Sequence, residues 1–180
     1  MNQPASAYFL NSDNPREQRA TLSIVVDNEV GALARVVGLF AARGYNIESL
    51  TVAETDPQRH TSRITIVTRA THAMIEQIKA QLGRLIPVHR VLELGVDRPG
   101  VEREMALIKC VGEGERRAEA LRLSKVFRAR VVDITHDSFT FEVTGSPVKI
   151  EAFIELMIPL GLVELSRTGV VAISRGHEPL

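Results

Sequence analysis

Between Asn28 and Leu33 the chain reads Asn28-Glu29-Val30-Gly31-Ala32-Leu33, a run whose residue types suit the grip of a small zwitterion. Asn28 supplies an amide donor and a carbonyl acceptor, which together can orient an ammonium and a carboxylate. Gly31 has no side chain, so a ligand can come close to the backbone there. A helix starting at this point would add unpaired N–H groups and the positive end of its dipole, both favourable to a carboxylate. Asn46 offers a second amide further along. These residues also have an ordinary explanation, with Asn28 as a helix cap and Asn46 as a turn residue after Gly44. Spacing alone leaves both open.

Other constellations carry less chemistry. His136-Asp137-Ser138 has the letters of a catalytic triad, but consecutive residues cannot place nucleophile, base and orienting group in mutual contact, so it reads as a hairpin turn. His60, His72, His89 and His177 show no metal-ligand spacing with one another or with Cys110, and Cys110 reads as a core residue. Gly112-Glu113-Gly114 lacks the third glycine of a dinucleotide fingerprint and the lysine of a phosphate-binding loop. Arg116-Arg117 is interleaved with acids, as on a solvated helix face. No set of residues supports covalent or acid–base catalysis, and no metal site is expected.

The elements that must position these groups follow from hydrophobic period. Leu22, Ile24 and Val26 alternate on a strand starting at Ala20. Leu33, Val36, Val37 and Phe40 then form a helical stripe that ends at Arg43-Gly44. Strands are expected over 47–53 and 60–68. A helix capped by Thr71 carries Ile75, Ile78 and Leu82 and stops at Gly83, and a strand follows over 87–96. After the turn-rich Asp97-Arg98-Pro99-Gly100 the same order recurs. It comprises a strand over 105–111, a helix over 115–128 with Ala120, Leu123 and Phe127 in line, and hairpin strands over 130–135 and 139–144. A helix capped by Ser146-Pro147 with Ile150, Phe153, Ile154 and Met157 inward comes next, then a strand over 162–174 bent at Gly169.

Two copies of a strand-helix-strand-strand-helix-strand order imply an α+β protein of two tandem ferredoxin-like βαββαβ domains. The divisions are a mobile tail over 1–18, a first domain over 19–97 and a second over 101–180. Both helices of each domain cover one sheet face, leaving the other face and the edge strands open to a partner. The outer side of the first helix, with Ala34, Gly38, Ala41 and Ala42, is either a close-packing surface or a set of alanines favoured by helix propensity.

Of 180 residues, 44% are hydrophobic and 24% charged, enough apolar content for a packed core. Lys plus Arg and Asp plus Glu number 22 each, so the zero net charge gives no pull toward nucleic acid or an anionic membrane. A single cysteine excludes an intramolecular disulfide. Without a basic start, a sustained apolar run or a membrane-spanning segment, neither signal peptide nor membrane anchor is expected, and the location is cytoplasmic.

The stretch from Asn28 through Gly31, Phe40 and Gly44 to Tyr45-Asn46-Ile47-Glu48-Ser49-Leu50-Thr51-Val52 resembles the start of the acetolactate synthase small (regulatory) subunit, whose first domain is an ACT domain. Val91-Leu92-Glu93-Leu94, Val101-Glu102-Arg103-Glu104-Met105-Ala106-Leu107-Ile108-Lys109 and Ser166-Arg167-Thr168-Gly169-Val170-Val171-Ala172-Ile173-Ser174-Arg175-Gly176 also match it. The resemblance covers about Ala20 to Gly176. It implies a non-catalytic homodimer that binds valine between paired ACT domains. Asn28, Gly31, Ala32 and Leu33 would hold the charged groups, and Asn46, Ile47 and Ala53 of the neighbouring protomer would line the pocket. It further implies a catalytic subunit that condenses two pyruvates to 2-acetolactate with thiamine diphosphate, Mg2+ and FAD. This chain would activate that transferase and confer feedback inhibition in branched-chain amino acid biosynthesis, with no cofactor of its own.

Overall fold

The computed structural model describes residues 16–178. The expected tail lies largely outside them, over 1–15, and its last residue, Gln18, already begins a strand. The first domain contains β1 (Gln18–Asp27), α1 (Ala32–Arg43), β2 (Ser49–Asp56), β3 (Thr61–Ala70), α2 (His72–Leu82) and β4 (Val88–Leu94). Its sheet is antiparallel in the order β2-β3-β1-β4, the ferredoxin-like arrangement. Leu22, Ile24 and Val26 of β1 share a face with Ile64 and Ile66 of β3, and that face is sealed by Val36 and Phe40 of α1 and Ile75, Ile78 and Leu82 of α2.

The second domain repeats the plan with β5 (Gly100–Val111), α3 (Gly114–Val126), β6 (Arg130–Ile134), β7 (Ser138–Gly145), α4 (Pro147–Met157), a short 3-10 turn (Ile158–Leu160) and β8 (Leu162–Arg167). Strand order is β6-β7-β5-β8. Its core joins Ile108, Phe139, Phe141 and Val143 to Ile150, Phe153 and Met157. On α3 the inward positions are Ala120 and Ser124, with Leu123 and Phe127 only partly covered. The expected stripe missed Ser124, which stays buried by returning its hydroxyl to the Leu121 carbonyl at 2.8 Å.

The strand expected over 162–174 is divided. Thr168, Gly169 and Val170 interrupt it, and β9 (Val171–Ser174) then pairs with the first four residues of β5, Gly100–Arg103. This β5–β9 ribbon lies on the helix-free face of the first sheet, a face expected to remain open. Val170 and Ala172 are buried against Val67 and Leu94. Thr51 donates its hydroxyl to the Val170 carbonyl at 2.8 Å, and the Val170 N–H donates to Ser49 Oγ at 2.9 Å. Gly169 has φ +79, and a Cβ there would come within 2.6 Å of Ser49 Oγ, so glycine meets both the left-handed backbone and the close approach. No helix among the described residues is long and apolar enough to cross a membrane.

Candidate functional site

The front of α1 is built by three chain segments. At the end of β1 the Asp27 N–H donates to the Pro87 carbonyl at 2.8 Å, and the Asp27 carboxylate lies 2.6 Å from His89 Nε2. The Asn28 N–H donates to the carbonyl of His60 at 2.7 Å. His60 is held at φ +51 in the turn between β2 and β3, so that turn fixes the backbone of Asn28 while leaving the residue exposed. The helix cap is Gly31, at φ +89, and no side chain among the described residues caps the helix. The ordinary reading of Asn28 as a cap is thereby overturned.

Nothing acidic sits in the first turn of α1. Glu29, just ahead of it, is engaged by Arg35 at 3.0 Å. Buried among core side chains, the Ala32 methyl anchors the turn, while Leu33 is partly exposed and Val30 fully so. An exposed valine beside a helix start is an apolar side chain that packs on nothing among the described residues. Sequence alone gives Val30 and His60 no part in this turn; the first carries a signal in its apolar character within a turn, the second, which acts through its backbone carbonyl, carries none.

Asn46 and Ile47 stand at the other end of α1, which at twelve residues is about 18 Å long. There Gly44, at φ +68, ends the helix, and the Tyr45 N–H reaches back to the Phe40 carbonyl at 3.0 Å. The Asn46 carbonyl accepts the Thr68 hydroxyl at 2.6 Å, and Ile47 packs on the edge of the core. Ala53 has a third place: paired with Arg63, it lies on the sheet face away from the helices. One protomer therefore gathers Asn28, Gly31, Ala32 and Leu33, holds Asn46 and Ile47 together elsewhere, and keeps Ala53 apart from both.

The remaining reactive groups are accounted for structurally. Cys110 is buried, and loss of hydration pushes its thiol up to about 11, far from thiolate chemistry. Around His136-Asp137-Ser138, Thr135 Oγ1 donates to Asp137 Oδ1 at 2.8 Å and accepts the Ser138 N–H at 3.1 Å, and Arg117 donates to the His136 carbonyl at 2.7 Å, which makes a hydrogen-bonded hairpin turn. Among the described residues no three His, Cys, Asp or Glu side chains converge as metal ligands.

Comparison with known proteins bears on both domains. Residues 22–90 match a family described as the AHAS small subunit-like ACT domain, and residues 103–176 match one described as the small subunit of acetolactate synthase. The probable acetolactate synthase small subunit of Archaeoglobus fulgidus is 46% identical over 158 residues, covering 88% of this chain and 98% of that protein. This chain belongs to the acetolactate synthase small-subunit family. The acetolactate synthase isozyme 3 small subunit of Escherichia coli is 45% identical over 161 residues, covering 89% of this chain and 98% of that one. Among solved structures, the acetolactate synthase small subunit of Thermotoga maritima superposes with a TM-score of 0.78 at 35% identity, over 89% of this chain and 99% of that one. The first domain is the family's ACT domain, and the second is the part matched by its C-terminal model.

Proposed function

We propose that this chain is the regulatory subunit of acetolactate synthase. On this reading it is itself non-catalytic, raises the activity of a thiamine diphosphate-, Mg2+- and FAD-dependent catalytic subunit, and confers inhibition by valine. The observation that carries the proposal is the start of α1, where a glycine cap leaves first-turn N–H groups without a side-chain acceptor among the described residues and no acid stands in the first turn. An α-carboxylate satisfies both. The Asn28 side chain accepts from the ammonium, and an isopropyl group lies against Leu33 and Val30.

The separation of Asn28 from Asn46 calls for two protomers. β2 is an edge strand, exposed over Val52–Thr55. Antiparallel pairing of two β2 strands about a two-fold axis brings the Asn46 end of one protomer toward the Asn28 end of the other, closing the pocket and removing both free edges. Valine binding across that axis favours one arrangement of the pair over another, and a coupling free energy of about 1–3 kcal/mol changes affinity roughly 5–150-fold. Preference for valine over leucine then rests on one methylene, worth about 1–3 kcal/mol. Such a protein works in the cytoplasm beside its catalytic subunit.

The test is calorimetric titration of the chain with valine, with and without the catalytic subunit, alongside pyruvate condensation assays. The isolated chain is expected to show no condensation, to stimulate the catalytic subunit, and to lose that stimulation as valine rises. Stimulation untouched by saturating valine removes the feedback role, and turnover by the chain alone removes the regulatory reading.

A further inference from the structure

Between the β5–β9 ribbon and strands β2 and β3 runs a groove of about 360 Å³, on the sheet face away from the helices. Ala53, Val101, Val171 and Ile173 give it apolar walls. Two arginines, Arg63 and Arg103, line it, and among the described residues no carboxylate does. Neither arginine is ion-paired with a described Asp or Glu. Arg103 gives one N–H to the Glu102 carbonyl at 2.7 Å. The Nε of Arg63 is shut off from solvent and has no hydrogen-bond partner among the described residues. Two cationic side chains and no carboxylate along one apolar groove give it a charge balance that favours an anionic occupant.

We propose that this groove is a binding site for a small aliphatic carboxylate without an ammonium group, of the 2-oxo or 2-hydroxy acid class. The Arg63 guanidinium takes the carboxylate, Arg103 and the Thr65 hydroxyl face its C2 oxygen, and the alkyl chain lies on Val101, Val171 and Ile173. An α-amino acid is disfavoured because its ammonium would meet two cations and no acid. The site is separate from the start of α1 and does not depend on that reading. Its two walls come from different domains, so an occupant stabilises their contact by mass action.

The experiment is calorimetry of the full chain with 2-oxoisovalerate, using valine as the ammonium-bearing counterpart of the same shape. Wild type and Gly31→Asp are expected to bind the oxo acid equally, and excess valine leaves the isotherm in place. Arg63→Gln, which removes the charge and the fork, weakens binding about tenfold or more. Ile173→Glu sets a carboxylate at the rim on an exposed residue and weakens it comparably, giving a second variant should Arg63→Gln fail to fold. No heat at millimolar oxo acid, competition by valine, loss of binding in Gly31→Asp, or full affinity in either groove variant overturns the proposal.

Discussion

In the two domains the second helices begin alike and the first helices do not. Thr71 Oγ1 accepts the Met74 N–H at 3.4 Å to start α2, and Ser146 Oγ accepts the Lys149 N–H at 3.3 Å to start α4. Among the described residues neither α1 nor α3 has a side-chain cap, yet α3 carries Glu115 in its first turn whereas the first turn of α1 carries no acid. The outer sides differ as well. α3 shows Arg116, Glu119 and Arg122, with Glu119 and Arg122 paired at 2.6 Å, while α1 shows Ala34, Gly38, Ala41 and Ala42. Where the fold alone decides, the domains converge. At the start and outer side of α1 the first domain departs, leaving partners to be supplied from outside.

Buried carboxylates show the same contrast. Glu104, 4% exposed, is held by both arms of Arg167 at 2.6 and 2.8 Å. Glu93, 2% exposed in the first domain, has its nearest cation, Lys79, 3.8 Å away and shared with Glu76 and Asp97. The second domain is satisfied internally where the first is not.

Arg167→Ala breaks this contrast most severely. It strands Glu104 without its counterion, and removing one partner of a buried pair costs about 3 kcal/mol or more. Denaturant unfolding is expected to show that loss, and a change below about 1 kcal/mol would mean that water or Glu104 protonation relieves the carboxylate.

Next in size is a matched pair of glycines. Gly31, at φ +89, and Gly114, at φ +56, both stand at the start of a first helix with open space around a would-be Cβ. Aspartate at either incurs similar backbone strain. Gly31→Asp sets a negative charge beside the ligand carboxylate and should weaken valine binding about 100-fold, whereas Gly114→Asp should leave it within about twofold. Equal losses at both would point to a global disturbance and against a pocket at α1. Smaller again, Thr71→Ala and Ser146→Ala should each cost about 1 kcal/mol of stability and leave valine affinity alone. A binding defect in either would tie the second helices to the site.

Most of the architecture was legible because it rests on local period. The alternation of Leu22, Ile24 and Val26, the stripe of Val36 and Phe40, and the caps at Thr71 and Ser146 each act over a few residues. The β5–β9 ribbon was not legible. Val170 and Ala172 read as ordinary strand residues, and only their contact across the molecule with Val67 and Leu94 reveals where they go. At the proposed site, residue types suited a zwitterion grip at Asn28 and Gly31 and equally a helix cap at Asn28. Which of them capped the helix depended on a backbone angle at Gly31 and on the His60 carbonyl some thirty residues away. Ala53, grouped with that site by resemblance, lines the interdomain groove, because alternation along β2 turns it from the helices.

The subtlest expected effect concerns Glu93. Burial, ahead of every other influence, raises its pKa; Asp97 and Glu76 add to the rise, while Lys79 and His72 oppose it. A carboxyl that titrates higher in the folded state binds more protons there than in the unfolded chain. Stability from this group is then greatest below the unfolded value, near 4.5, and declines as pH rises through the folded one. Asp97 runs the other way. Its pKa is lowered, with the Glu93 N–H at 2.8 Å and Lys79 outweighing burial, so its contribution stands above 3.8 and fades on acidification. Glu93→Gln keeps the shape and removes the charge, so it should leave stability unchanged near pH 4 and raise it by less than about 1 kcal/mol at pH 7. Urea unfolding of both proteins across that range measures the difference. A variant less stable than wild type at pH 7 would mean that Lys79 holds Glu93 as a full ion pair, and the first domain's buried carboxylate would then be as well satisfied as the second's.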